Sequence, residues 1–143
     1  MVRPARRFEV ADIAQQVVGG FLLAGPFVVT AEVWELAYHM SVLQATITAL
    51  IVGAIGYGAL YGADDDRDPD REDDVLGIPY RFVSLMGVAF GSVLVLALVF
   101  GAPATFFTIM DVPAAEWPIH TGKAVAIGAI FAVVGAATAD SLF

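Results

Sequence analysis

Glu32, Glu35 and His39 recur at helical spacing inside an otherwise apolar stretch, so one helix face collects two carboxylates and an imidazole. Phe21, Gly25 and Val28 continue the same stripe. These residue types suit a proton or cation site, with Glu32 as the central carboxylate, Glu35 as its partner and His39 as a ligand or relay at the mouth. If the chain turns near Tyr38, Glu32 lies roughly 9 Å of helix rise below the turn, inside the hydrocarbon edge. An ionised carboxylate is costly there unless it is paired, faces water or stays protonated. Two plainer readings stand beside this one. The helix sits higher, both acids reach headgroups or water and Trp34 anchors the interface, or Glu32 accepts hydrogen bonds from neighbouring helices. A metal site would have to draw His120, Asp111 or Glu116 into the set, and the spacing names no metal.

Other residues invite a role. Pro26 after Gly25 frees the carbonyl of Leu22 and predicts a kink near mid-membrane, serving either as a hinge or as static packing. Asp140 and Arg81 are expected on the same side of the membrane, where they form a candidate inner pair. The run DDDRDPDREDD, Asp64 to Asp74, lacks the spacing and final bidentate glutamate of an EF-hand loop, and reads as a solvated acidic loop.

Several chemistries find no support. The chain has no cysteine, which removes disulfides, thiolate metal sites and cysteine nucleophiles. No serine–histidine pattern, glycine-rich phosphate loop or basic aromatic surface stands out. A non-enzyme with no cofactor and no nucleic-acid partner is expected.

Positioning such residues falls to the apolar segments. Of 143 residues, 59% are hydrophobic, too many for an ordinary soluble domain of this length. Each long apolar stretch reaches about 20 residues, enough for a helix to cross roughly 30 Å of hydrocarbon. The expected architecture is all-α, a single polytopic domain over 1-143 with four transmembrane helices built as two helical hairpins. The expected spans are Val17 to Leu36, Val42 to Tyr61, Phe82 to Phe100 and Ala124 to Leu142. They are separated by an acidic loop over 62-79 and an external loop over 101-123. The first span lacks a convincing signal-peptidase site and reads as retained.

Charge sets the expected orientation. The acidic run holds eight acids and two arginines, −6 of a net −8. Basic residues decide topology, and Arg3, Arg6, Arg7, Arg67, Arg71 and Arg81 face Lys123 alone on the other side. Both termini are therefore expected in the cytoplasm of a cell-membrane protein. Trp34, Tyr38 and Trp117 then mark the outer interface, and Tyr57, Tyr61 and Tyr80 the inner one. Abundant aspartate with a single lysine suggests a halophilic cytoplasm.

Small residues recur at four-residue spacing: Ala54, Gly58 and Gly62; Gly87 and Gly91; Ala124, Gly128, Ala132 and Ala136. In lipid, such stripes let helices approach closely, within one chain or between chains. Four short spans bury little, so a homo-oligomer or a membrane-protein partner is expected within the bilayer. Arg7-Phe8 and Arg81-Phe82 each precede a span that is followed by acid, tryptophan and histidine, a weak internal echo with unequal spacings.

Over Val17 to Tyr61, the residues Gly19-Gly20, Leu22, Pro26, Thr30, Glu32, Trp34 and Leu36, followed by a glycine-rich span, resemble a family of integral membrane proteins of unknown function (domain of unknown function 2391). The resemblance implies a membrane location and no activity. Three functions compete at this point. A small oligomeric proton or cation channel or transporter centred on Glu32 is narrowly favoured over a structural or accessory subunit binding a larger partner through its small-residue faces. A sensor using the acidic loop as its cytoplasmic contact is weaker.

Overall fold

A computed structural model describes residues 8–62 and 74–142 of the chain. The arginines at positions 3, 6, 7, 67 and 71 and nearly all of the acidic run lie outside the described residues. What is described is helical apart from one short β-hairpin. The elements are α1 (Val10–Val28), α2 (Ala31–His39), α3 (Val42–Tyr57) with a π-helical extension over Gly58–Gly62, β1 (Asp74–Val75), β2 (Ile78–Pro79), α4 (Tyr80–Val99), α5 (Ala102–Ile109), a 3-10 turn over Ala114–Glu116, and α6 (Trp117–Leu142). Among the described residues, four segments are long and apolar enough to cross a membrane: Val10–Val28, Val42–Gly62, Tyr80–Val99 and Ala114–Leu142. The described part is thus mainly helical, with the four apolar helices of a membrane protein.

The segment expected to cross first, Val17 to Leu36, is divided differently. α1 starts at Val10, where the Glu9 backbone N–H donates to the Asp12 carboxylate at 2.9 Å. Pro26 stays inside α1, and the interruption comes later, at Val29 and Thr30. Thr30 adopts an extended conformation and starts α2 as a separate helix. Side chains replace the helix hydrogen bonds lost at this break. The Thr30 hydroxyl donates to the Phe27 carbonyl at 3.0 Å, and the Trp34 indole N–H donates to the Val28 carbonyl at 2.8 Å. Satisfying these carbonyls matters because an unpaired backbone group in an apolar interior costs several kcal/mol.

Helix α6 is the axis of the fold, packing against α1, α4, α3 and α2. Its own sequence explains this, because Ala124, Gly128, Ala129, Ala132, Gly135 and Ala136 are all buried and leave room for neighbours on several sides. α1 crosses it most closely where Gly19 meets Gly135: a methyl on either would overlap the carbonyl oxygen of the other. Gly128 similarly accommodates Val93 of α4, and Gly56 of α3 accommodates Met86, Leu85 and Val133.

The other two small-residue stripes behave differently. Gly87 and Gly91 of α4, and Gly58 and Gly62 beyond α3, have open space where a side chain would stand. On α4 the core-facing residues are Arg81, Leu85, Ala89, Ser92, Val93 and Ala97. By the 100° step of a helix, Gly87 lies on the opposite side, in line with exposed Val83, Leu94 and Leu98.

Before α4, the hairpin pairs Asp74 with Pro79 and Val75 with Ile78. Leu76 and Gly77 form its turn with positive φ of 53° and 84°, the combination a two-residue hairpin connection requires. Beyond α4, the stretch expected as an external loop contains α5 and the 3-10 turn, and α6 begins at Trp117, several residues before Ala124.

Candidate functional site

Apart from Ser92, the polar side chains buried inside the described chain fall into two groups at opposite ends of the bundle. At the end shared by the start of α1, the start of α4 and the end of α6, Arg81 is fully buried. Its Nη1 donates to both carboxylate oxygens of Asp140, at 2.8 and 3.0 Å, while Nη2 lies 3.5 Å from the Asp12 carboxylate. Gln16 ties the pair to α1: its Nε2 donates to Asp140 Oδ2 at 3.2 Å and to the Arg81 carbonyl at 3.4 Å. Ser84 completes the link by donating to Gln16 Oε1 at 2.7 Å. The ring of Phe8 lies 5.1 Å from the guanidinium carbon. The resulting network joins three helices through charge-assisted bonds, and removing the Arg81 guanidinium would strand both carboxylates.

The sequence pairing of Arg81 with Asp140 corresponds to this contact. Asp12 and Gln16, which sequence reasoning missed, share one face of α1 with Gly19 and Gly20, all buried. A four-residue step between two polar residues, running straight into a pair of glycines, was the available signal.

At the opposite end the arrangement is centred on Lys123, 8% exposed. Its ammonium donates to the Met40 carbonyl at 2.6 Å, which fastens the corner between α2 and α3 to α6. It also lies 3.3 Å from His120 Nδ1. An ammonium can only donate, so Nδ1 accepts and the ring proton sits on Nε2, pointing to Glu116 Oε1 at 3.4 Å. The rings of Tyr38 and Phe107 pack on His120 with centroids 4.9 and 6.0 Å away. Trp34, fully inside this cluster, lies edge-on to Phe107 at 5.4 Å and stacks near Phe106. It is a buried strut with a donor to place, where the interface reading had it as an anchor.

Glu32, Glu35 and His39 do share a stripe on α2, but on its exposed side, opposite buried Trp34 and Ala37. Glu35 borders a small pocket with Ala31, Phe106, Ile109 and Met110, and the His39 ring touches the Lys123 group only at its edge, on Tyr38 with centroids 5.2 Å apart. Asp111 is exposed in a left-handed turn with φ of 57°. Among the described residues, no three His, Asp or Glu side chains are placed to hold a metal ion.

Between the two polar ends the interior is apolar. Ala24, Leu85, Ala89, Val93, Ala129, Ala132 and Val133 fill it, and Ser92 is the buried polar residue there among those described. Its hydroxyl is turned back to the Ala89 carbonyl at 3.3 Å. Lys123 and Asp140 are separated along α6 by roughly 25 Å of helix rise, with no string of polar groups joining them.

No family model, curated protein or solved structure matches this chain.

Proposed function

We propose that this protein is a structural or accessory membrane subunit that binds a helix of another membrane protein through the outward faces of α3 and α4. One observation carries the reading: Gly87 and Gly91 stand one turn apart on the side of α4 opposite the core, with nothing packed on them. Lipid gives an exposed helix no reason to place glycine there, because glycine weakens a helix by about 1 kcal/mol relative to alanine. A second helix gives that reason, since two glycines four apart admit another backbone to close range. Exposed Val83, Leu94 and Leu98 extend the α4 ridge on either side, and Leu43, Ile47, Leu50, Ala54 and Gly58 form a comparable exposed stripe on α3.

The buried ion network around Arg81 ties helices together as a scaffold does, and the apolar middle gives an ion no polar route along the axis of one chain. An ion-conducting assembly centred on Glu32 would have to form between chains. In the membrane, the proposed orientation has the Arg81 end in the cytoplasm and the Lys123 end outside, following the excess of arginine at the first.

The test is the size of the native assembly. The wild-type chain, solubilised gently from its own membranes, is expected to migrate as a complex heavier than its monomer. Gly87→Leu with Gly91→Leu is expected to release the monomer without loss of helicity. A complex of unchanged size in that double variant would contradict the reading.

A further inference from the structure

A cavity of about 340 Å³ lies between α3 and α6, lined by Val42, Ala45, Thr46, Ala49, Phe90 and Lys123 together with residues 119, 122 and 126 of α6. We propose that this cleft binds a phospholipid with an anionic headgroup, its phosphate on the Lys123 ammonium and the start of one acyl chain along the apolar wall below. This proposal is independent of the accessory-subunit reading.

Charge complementarity carries the argument. Lys123 is the chain's one lysine, lies inside a membrane-crossing segment and is almost fully buried. Its described acceptors, the Met40 carbonyl and the His120 ring, are both neutral. Among the described residues no carboxylate pairs with it; Glu116 reaches only the far nitrogen of His120. An ammonium has three donors, and two are used, which leaves one for a ligand. A buried cation with neutral partners attracts an anion far more strongly than the same cation in water.

The shape selects the ligand. Lys123 lines the cleft, and its ammonium reaches the Met40 carbonyl two residues before α3 begins, which sets the charge at the cleft's Val42 end. Below it, the wall runs from Val42 to Ala49, roughly 10 Å of helix rise. That wall is apolar except for Thr46, whose hydroxyl is already donated to the Val42 carbonyl at 2.9 Å. A charged mouth above an apolar slot that faces the bilayer matches a headgroup above an acyl chain.

The full chain, reconstituted in vesicles of equal phosphatidylglycerol and phosphatidylcholine and then released in mild detergent, tests the proposal by native mass spectrometry of the retained lipid. The wild type is expected to keep phosphatidylglycerol over phosphatidylcholine by about tenfold, because the choline ammonium of phosphatidylcholine cancels the charge of the phosphate that meets Lys123. Lys123→Gln is expected to bring that ratio near one, and Lys123→Arg to preserve it. Ala49→Phe fills the slot without touching the ammonium, and is expected to abolish retention of both lipids while circular dichroism and elution volume stay unchanged. Equal retention of the two lipids by the wild type would overturn the proposal, as would undiminished phosphatidylglycerol in Ala49→Phe. A folded Ala49→Phe protein that loses a dimer but keeps its lipid would assign the cleft to a second copy, again overturning it.

Discussion

Gly19 of α1 and Gly135 of α6 meet so closely that neither tolerates a side chain: a methyl on one falls on the carbonyl oxygen of the other. The obstruction is backbone, which has no rotamer to yield. Gly19→Ala or Gly135→Ala should therefore destabilise the fold by about 1–3 kcal/mol, the usual cost of overfilling a packed site. Unfolding in mixed micelles at increasing denaturing detergent measures this. Gly87→Ala, with open space around it, should leave the unfolding midpoint of the dissociated chain unchanged or slightly raised.

The buried ion network predicts an asymmetric response. Arg81→Met leaves Asp140 and Asp12 buried without their guanidinium, and should cost about 3–5 kcal/mol. Adding Asp12→Asn and Asp140→Asn to Arg81→Met should recover much of that loss, because the stranded charges disappear. The same unfolding assay reads both proteins, and equal stability of the single and triple variants would contradict the assignment.

Orientation is accessible because the chain has no cysteine, so any introduced thiol is unique. Ser41 and Leu142 are both exposed, at opposite ends of the bundle. In intact cells, Ser41→Cys should react with a membrane-impermeant maleimide, and Leu142→Cys only after permeabilisation. The reverse pattern would invert the proposed topology.

How much of this was legible in the residues depended on range. The number of spans was, since bilayer thickness dictates their length and composition, but not the end of the first at Val28 or the beginning of the fourth at Ala114. The start of the first was not: Asp12 and Gln16 mark a membrane edge when read locally, and only partners on α4 and α6 draw them inside. The candidate stripe of Glu32, Glu35 and His39 was correct as spacing, yet spacing does not say which side of α2 is covered. The same holds for the small residues, where Ala124 to Ala136 turn inward and Gly87 with Gly91 turn out. In the sequence, Lys123 marks only the outer side. Its carbonyl partner, Met40, lies 83 positions away in sequence and carries no side-chain signal at all.

Site-specific photocrosslinking shows whether the face of α4 carrying Gly87 and Gly91 contacts another helix in the membrane. A photoreactive phenylalanine analogue at Val83 or Leu94, which flank the glycines, is compared with the same analogue at Val18 or Leu22 on the exposed face of α1. In native membranes one discrete adduct of defined mass is expected from positions 83 and 94, absent from 18 and 22, and lost when Gly87→Leu is added. Lipid adducts alone at all four positions, or one unselective pattern throughout, would contradict it.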